Sequence, residues 1–183
     1  DAGLPRELMY LALVESGFKS SAYSTAKASG VWQFIPSTGR AYGLDIDWWI
    51  DERRNPEKAT AAAATYLKRL YGRFGDWYIA MASYNCGQGC VSRSIRRAGH
   101  SNYWGLGLPT ETAHYVPRII AAAIIAKNPE LFGLKIKEYK PVILDSIEVS
   151  GCYPFDRLAD KKELTKKELE LANPELWHGS TPP

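Results

Sequence analysis

The sequence predicts an all-α domain over residues 1–133, followed by a small α/β extension over residues 134–183. Through the first part of the chain, apolar residues recur at the i, i+3, i+4 and i+7 spacing of amphipathic helices. Prolines in first turns and glycines just past the last turns mark the ends of these helices. From about Leu134 the composition changes, and the β-branched residues of Val142–Val149 predict a strand.

The first predicted helix carries one carboxylate on the face that it should bury. Pro5 suits the first turn of this helix, and Gly17 suits the position just past its end. Leu8, Leu11 and Glu15 share one helical face. Burial and the negative end of the helix dipole both favour the protonated form of Glu15, which is the form a general acid needs. The alternative is that Glu15 lies at the edge of the helix end and points to water.

The next elements are short, and one long helix follows them. Residues 19–30 predict a loop, with at most one helical turn, because they are rich in Ser, Ala and Gly. Pro36 begins a short helix that Gly43 ends, and Asp45–Arg54 predicts a polar connection. Asn55 then caps a helix whose small residues imply close approach to neighbouring helices.

Further helices follow in the second half of the domain and in the extension. One begins at Asp76 and stops near Gly87, and a shorter one ends at Gly99. Thr110 is placed to cap a long helix that runs towards Lys127. The remaining boundary signals are Pro117 inside the long helix, Gly133 after a final turn, and the capping box Thr165–Glu168.

Composition excludes several classes of function. A net charge of +3 is too small to indicate nucleic-acid binding, and no apolar run reaches the roughly 18 residues of a membrane span. Cys86 and Cys90 are compatible with a bridge in an oxidising compartment and equally with free thiols. The histidines lie far from paired cysteines, so no zinc site, other metal site or cofactor is expected.

Four short motifs occur in a fixed order along the chain. They are Glu15-Ser16, Gly30-Val31-Trp32-Gln33, Ser83-Tyr84-Asn85, and Glu111-Thr112 followed by Tyr115-Val116. In this order and spacing they resemble the motifs of the lytic transglycosylase catalytic domain, over roughly Leu4–Pro129. The longer run Ala28–Gly39 is most similar to the membrane-bound D-type members of that family.

The resemblance implies a lysozyme-like helical fold and a lyase that acts on bacterial peptidoglycan. Members cleave the β-1,4 bond between N-acetylmuramic acid and N-acetylglucosamine and leave a 1,6-anhydro sugar. By this resemblance Glu15 is the single acid/base catalyst and Tyr84 orients its carboxyl group. The implied substrate-binding residues are Ser24, Gln33, Asn85 and Glu111.

Several implied site residues also have a purely structural alternative. For Gln33 it is a turn residue whose amide only satisfies backbone groups, and for Tyr84 it is plain core packing. Ser24 is compatible with a helix cap, and Glu111 with a first-turn residue favoured by the helix dipole. Tyr115 is assigned to packing.

Two other functions are open to the same sequence. A goose-type hydrolytic muramidase would need a second carboxylate. The candidates are three aspartates close together in the sequence, Asp45, Asp47 and Asp51, although they resemble a solvated connection. A non-catalytic glycan-binding module would not need a buried acid. For all three functions the expected partner is the glycan strand of peptidoglycan, with no nucleic acid. We expect a monomer in the bacterial periplasm, with attachment to the outer membrane through a segment outside this chain as an option.

Overall fold

The computed structural model describes residues 3–136, 143–162 and 164–183, and these residues are mostly helical. In chain order the α-helices are α1 (Met9–Ser16), α2 (Pro36–Ala41), α3 (Pro56–Phe74), α4 (Trp77–Cys86), α5 (Gln88–Ala98), α6 (Thr110–Lys127), α7 (Phe155–Lys162) and α8 (Lys166–Ala172). Short 3-10 helices occupy Arg6–Leu8, Glu52–Arg54, Tyr103–Gly105 and Pro129–Phe132. The all-α character predicted for the first part of the chain is confirmed.

The chain divides into two compact units, which do not follow sequence order. The first unit combines the residues up to Gly17 with Ala63–Lys135. The second combines Phe18–Ala62 with the C-terminal residues from Ile136. The predicted division at residue 133 stays a prediction, and each unit is described separately below.

Helix α6 is the central element of the first unit. It packs against α1 and against α4, and α4 packs in turn against α5. The apolar residues that these helices bury include Leu11, Ala12, Ile79, Ala80, Val91, Val116 and Ile119. Helix α6 therefore lies between the helix that carries Glu15 and the helix that carries Tyr84.

Local signals in the first unit set the helix ends at the predicted places. Gly17 takes the left-handed conformation at φ 61°, and its N–H donates to the carbonyl of Leu13 at 2.9 Å. The Asp76 carboxylate caps α4 by accepting from the N–H of Ile79 at 3.0 Å. Two boundaries differ. Helix α1 begins at Met9, because Pro5 precedes the 3-10 helix Arg6–Leu8 and not the first turn of α1. In α6 the N-cap position is occupied by Pro109 and not by Thr110.

A buried ion pair organises the second unit. The Arg53 guanidinium donates to both carboxylate oxygens of Asp51, at 2.8 and 2.7 Å. The same guanidinium donates to the carbonyls of Lys27 and Phe34, at 2.7 and 2.9 Å. The interpretation of Asp51 as part of a solvated connection was wrong, because Asp51 is fully buried and its partner Arg53 is 3% exposed. Their polar atoms are satisfied by each other and by the neighbouring loop.

The C-terminal residues of the second unit do not form the predicted strand. Residues 143–149 have no strand structure, and Val142 lies outside the described residues. β-branched composition favours extended backbone, but a strand also needs a partner, and only isolated bridges such as Ile50 with Leu176 are found in the described part of this unit. The capping box of α8 is confirmed, since the Thr165 hydroxyl accepts from the N–H of Glu168 at 3.2 Å.

We predict that Gly30→Ala destabilises the protein strongly. Gly30 has φ 79°, and a Cβ at this position would lie 1.7 Å from the carbonyl oxygen of Arg53. We expect a loss of about 3 kcal/mol or more in the free energy of unfolding, measured by denaturant titration. The matched control is Gly43→Ala, where φ is 83° and no atom lies within 4 Å. That variant should cost only about 1–2 kcal/mol, and equal losses at the two positions would contradict the role of the contact.

Candidate active site

Glu15 lies in the last turn of α1, where its carboxyl group is partly buried. The hydroxyl of Tyr115, on α6, donates a hydrogen bond to Glu15 Oε1. Burial raises the pKa of Glu15 to about 7, and the negative charge of Glu111 adds to this effect. The hydrogen bond from Tyr115 acts in the opposite direction, since it stabilises the carboxylate. The alternative in which Glu15 points to open solvent is therefore wrong.

Tyr84 lies on α4 within electrostatic reach of the Glu15 carboxyl group. Burial raises the pKa of Tyr84 well above its ordinary value, and the charge of Glu15 raises it further. The ring of Tyr66 packs beside it, with 5.2 Å between ring centroids. Tyr84 therefore keeps its phenolic proton as a hydrogen-bond donor, but its role in orienting Glu15 stays a prediction.

A second polar group joins α4 to the start of α6. The hydroxyl of Thr112 donates to Asn85 Oδ1 at 2.7 Å, which fixes the orientation of the amide. The amide nitrogen of Asn85 then donates to Glu111 Oε1 at 3.4 Å, a long and weak bond. Glu111 is exposed, so its carboxylate faces solvent while its charge acts on Glu15.

The first unit thus brings together four of the six predicted site residues. These are Glu15, Tyr84, Asn85 and Glu111. The residue that sequence analysis missed is Tyr115, which was assigned to packing but holds the Glu15 carboxyl. A signal was available, because a buried tyrosine hydroxyl generally needs a hydrogen-bond partner, and Tyr115 is 3% exposed.

Ser24 and Gln33 lie in the second unit, in one loop whose polar contacts are local. The hydroxyl of Ser24 accepts from the N–H of Ala28 at 3.0 Å and closes a turn, not a helix cap. The amide of Gln33 donates to the carbonyls of Gly30 and Ala22, at 2.8 and 3.3 Å. Both side chains therefore stabilise the loop, which matches the structural alternative for Gln33 but not the helix cap considered for Ser24. Their roles in substrate binding stay predictions.

The remaining candidates do not add a metal site or a reactive thiol. Within the described residues, no group of three or more His, Cys, Asp or Glu side chains is placed to hold a metal ion. Cys86 and Cys90 are free thiols, and burial raises the pKa of Cys86 to about 12. The Cys86 thiol is thus protonated at neutral pH and is a poor nucleophile.

The geometry of the first unit suits one kind of chemistry. A carboxyl group with a pKa near 7 is partly protonated at neutral pH, so it can give a proton to a leaving group and later take one back. The hydroxyl of Tyr115 contacts it, and Tyr84 and Glu111 lie within electrostatic reach. The arrangement is suited to proton transfer by this carboxyl group.

Comparisons with known proteins identify relatives of this chain. Residues 1–106 match the family model described as the transglycosylase SLT domain. The membrane-bound lytic murein transglycosylase D of Escherichia coli (strain K12) is 36% identical over 176 residues, which cover 93% of this chain and 39% of that protein. The peptidoglycan transglycosylase gp16 of Escherichia phage T7 is 42% identical over 130 residues, 69% of this chain and 10% of its own length. This chain spans less than half the length of these relatives.

Solved structures show the same fold. The 70 kDa soluble lytic transglycosylase of Escherichia coli gives a TM-score of 0.59 at 23% identity, over 72% of this chain and 23% of that chain. An inactive mutant of the lytic transglycosylase Slt from Pseudomonas aeruginosa gives 0.58 at 24% identity, over 73% and 23%. At these identities the likeness bears on the fold alone, and it confirms the fold class that the motifs implied.

We predict that Glu15→Gln stabilises the protein more as the pH rises. Because the folded pKa of Glu15 is raised from 4.5 to about 7, its protonated form contributes stability that is complete below pH 4.5 and is lost as the pH rises through 7. Glutamine mimics the protonated acid at every pH. The variant should match the wild type near pH 4 and exceed it by about 1–3 kcal/mol in unfolding free energy near pH 8.

The matched control for this measurement is Glu7→Gln. Glu7 is exposed, and its hydrogen bond with Lys127 lowers its pKa. This variant should therefore gain no stability between pH 4 and pH 8. Parallel curves for Glu15→Gln and the wild type would show that the Glu15 carboxyl is not desolvated.

Proposed function

The chain belongs to the transglycosylase SLT domain family, and from this premise we propose that it is a peptidoglycan lytic transglycosylase. The proposed substrate is the β-1,4 bond between N-acetylmuramic acid and N-acetylglucosamine, and the proposed product carries a 1,6-anhydromuramic acid end. The observation that carries the proposal is the Glu15 carboxyl group, which burial keeps partly protonated near pH 7 and which Tyr115 holds in place.

In the first proposed step, Glu15 is the general acid. Its carboxyl proton passes to the glycosidic oxygen while the bond from that oxygen to the anomeric carbon of the muramic acid breaks. The Glu15 carboxylate that results is stabilised by the hydrogen bond from Tyr115. Tyr115 thus favours the carboxylate of Glu15, which forms during the reaction, whereas burial favours the protonated acid, with which the reaction begins.

In the second proposed step, the same carboxylate is the general base. The 6-hydroxyl of the muramic acid attacks its own anomeric carbon, and its proton passes to Glu15, which restores the starting state. Because the nucleophile belongs to the same sugar, the reaction gains the advantage of intramolecular attack, for which effective molarities of about 10⁵–10⁸ M are known. No second carboxylate is needed to position a water.

The alternative enzyme activity is that of a hydrolytic muramidase. The closely spaced aspartates that could supply its second carboxylate do not favour it. Asp51 is fully buried in its ion pair with Arg53, and Asp47 accepts from the N–H groups of Trp49 and Ile50, at 2.7 and 2.8 Å. Asp47 and Asp51 are thus occupied by structural contacts within the second unit, and the third candidate, Asp45, is exposed. A non-catalytic glycan-binding module is disfavoured because binding alone gives no reason to bury an acid at a cost in stability.

The proposed setting follows from the substrate. Peptidoglycan lies in the bacterial cell envelope, so we propose that the protein acts there, as a monomer on glycan strands. No helix among the described residues is long and apolar enough to cross a membrane. Attachment to the outer membrane stays a further prediction.

We predict that the protein releases anhydro-ended muropeptides from purified sacculi. Mass spectrometry separates the outcomes, because hydrolysis adds one water to each new end and lytic transglycosylation does not. Glu15→Gln should lower the rate by about 10²–10⁴-fold, the usual contribution of a general acid/base, while leaving the circular dichroism spectrum unchanged. New ends that are heavier by the mass of one water would support the muramidase, and no cleavage by the wild type would support the binding module.

We also predict that two substitutions move the alkaline limb of the pH–rate profile in opposite directions. The rate constant kcat/KM should fall above a pH of about 7, where Glu15 loses its proton. Tyr115→Phe removes a hydrogen bond that lowers the pKa of Glu15, so the limb should move to higher pH. Glu111→Gln removes a charge that raises this pKa, so the limb should move to lower pH.

The position of the limb distinguishes these effects from a simple loss of activity. Glu7→Gln, which removes an exposed carboxylate that does not act on Glu15, is the matched charge control and should leave the limb in place. Limbs that move in the same direction for Tyr115→Phe and Glu111→Gln would contradict the electrostatic assignment.

A further inference from the structure

The second unit contains a recess that the proposed chemistry does not use. It has a volume of about 360 Å³ and is lined by Ser21, Tyr23, Ser29, Arg54 and Trp177. This volume lies within the range of small-molecule sites, and it is enough for a sugar ring or a dipeptide. Trp177 comes from the C-terminal residues. Its backbone N–H donates to the backbone carbonyl of Trp49 at 3.3 Å, which holds this segment in place.

The walls of the recess are aromatic and exposed. Tyr23 is 56% exposed and Trp177 is 43% exposed, and their rings meet edge to face with 6.4 Å between centroids. Such rings offer an apolar face beside polar tips, which suits a ligand with both an apolar surface and hydrogen-bonding groups.

Two polar groups in the recess lack partners within the described part of the chain. The hydroxyl of Ser29 is buried and makes no hydrogen bond there, and neither does the buried Nε–H of Arg54. Buried polar groups are normally satisfied, so each unpaired group needs an explanation. Ser29 is 1% exposed, and its backbone N–H is already used by the carbonyl of Phe34 at 3.1 Å. The unpaired hydroxyl is therefore not needed to hold the loop.

Arg54 gives the recess its charge. It is the one charged side chain among the five that line it, and its guanidinium lies over the ring of Trp177 at 4.7 Å from the centroid. The face of the indole attracts the guanidinium, whose N–H donors lie in the plane of the group and suit a planar anion. A planar cation held in this way matches a carboxylate, which accepts two parallel hydrogen bonds from it.

We propose that this recess is a binding site for a carboxylate carried on a small apolar or sugar body. The carboxylate accepts from Arg54 and from the Ser29 hydroxyl, and the body packs against Tyr23 and Trp177. In peptidoglycan this chemistry is found at the terminal carboxylate of a peptide stem and, where the stem has been removed, at the lactyl carboxylate of muramic acid. Naming peptidoglycan as the source rests on the proposed function, whereas the site itself rests on the recess.

The test is a binding titration of the whole chain, with affinities measured by isothermal titration calorimetry and the site located by the indole signal of Trp177 in nuclear magnetic resonance spectra of the wild type. The probes are the dipeptide D-Ala-D-Ala, N-acetylmuramic acid, and N-acetylchitotriose, which has sugar rings but no carboxylate. Saturable shifts with the dipeptide identify the stem terminus, and saturable shifts with N-acetylmuramic acid identify the lactyl group. Equal binding of chitotriose, or no shift with any of the three probes, overturns the proposal.

Variants assign the binding to the named groups. Arg54→Gln and Trp177→Ala should each lower the affinity for the carboxylate ligand by about tenfold or more, and Ser29→Ala should lower it by about threefold. Because the Ser29 hydroxyl has no partner among the described residues, Ser29→Ala should keep the melting temperature, so it stays informative if Trp177→Ala does not fold. Trp48→Ala removes another exposed tryptophan, one that stacks on His178 and does not line the recess, and should leave affinity unchanged.

Two outcomes of the variant series oppose the proposal. Unchanged affinity in Arg54→Gln would remove the carboxylate assignment, and a loss in Trp48→Ala equal to that in Trp177→Ala would show a general disturbance of the segment. The readout is independent of Glu15, since the titration measures binding and not cleavage. A protein that cleaves sacculi without binding either carboxylate, or that binds without cleaving, therefore separates this proposal from the proposed function.

Discussion

Desolvation of one carboxyl group is the constraint on which the first unit depends. Glu15 lies on the face of α1 that packs towards α6, so the packing that forms the core also removes water from the acid. Burial without a partner would be costly, and the hydroxyl of Tyr115 supplies that partner. The opposing effects of burial and this hydrogen bond leave the pKa near 7, where a group can both give and accept a proton.

The second unit shows a different use of buried polar groups. Arg53 is fully engaged by Asp51 and by two loop carbonyls, and the loop that carries Ser24 and Gln33 is held from within. These contacts make the loop a fixed surface. The recess beside it differs, because polar groups of Ser29 and Arg54, both of which line it, are left unpaired among the described residues. Buried Glu175 Oε2 is likewise unpaired within the described part of the chain, so it is the place of the Ser29 and Arg54 groups at a recess that points to a ligand.

Much of the fold was predictable from the sequence because its boundary signals are local. Gly17 and Asp76 act on backbone groups within a few residues of themselves, and their predicted roles are confirmed. What failed depends on residues distant in sequence. The strand over Val142–Val149 required a partner strand, the burial of Asp51 required the loop that Arg53 binds, and the role of Tyr115 required α1 to pack on α6. Spacing along one helix carries no information on such contacts.

The most direct test of this account is the titration of the Glu15 carboxyl carbon in the wild-type protein. Nuclear magnetic resonance of ¹³C-labelled glutamate follows each carboxyl separately, and the signal missing in Glu15→Gln assigns the one of interest. The account predicts a midpoint near pH 7 for this carbon, well above those of the exposed glutamates. A midpoint near 4.3, the value of an unperturbed glutamate, would show that water reaches the carboxyl freely and would contradict the central claim.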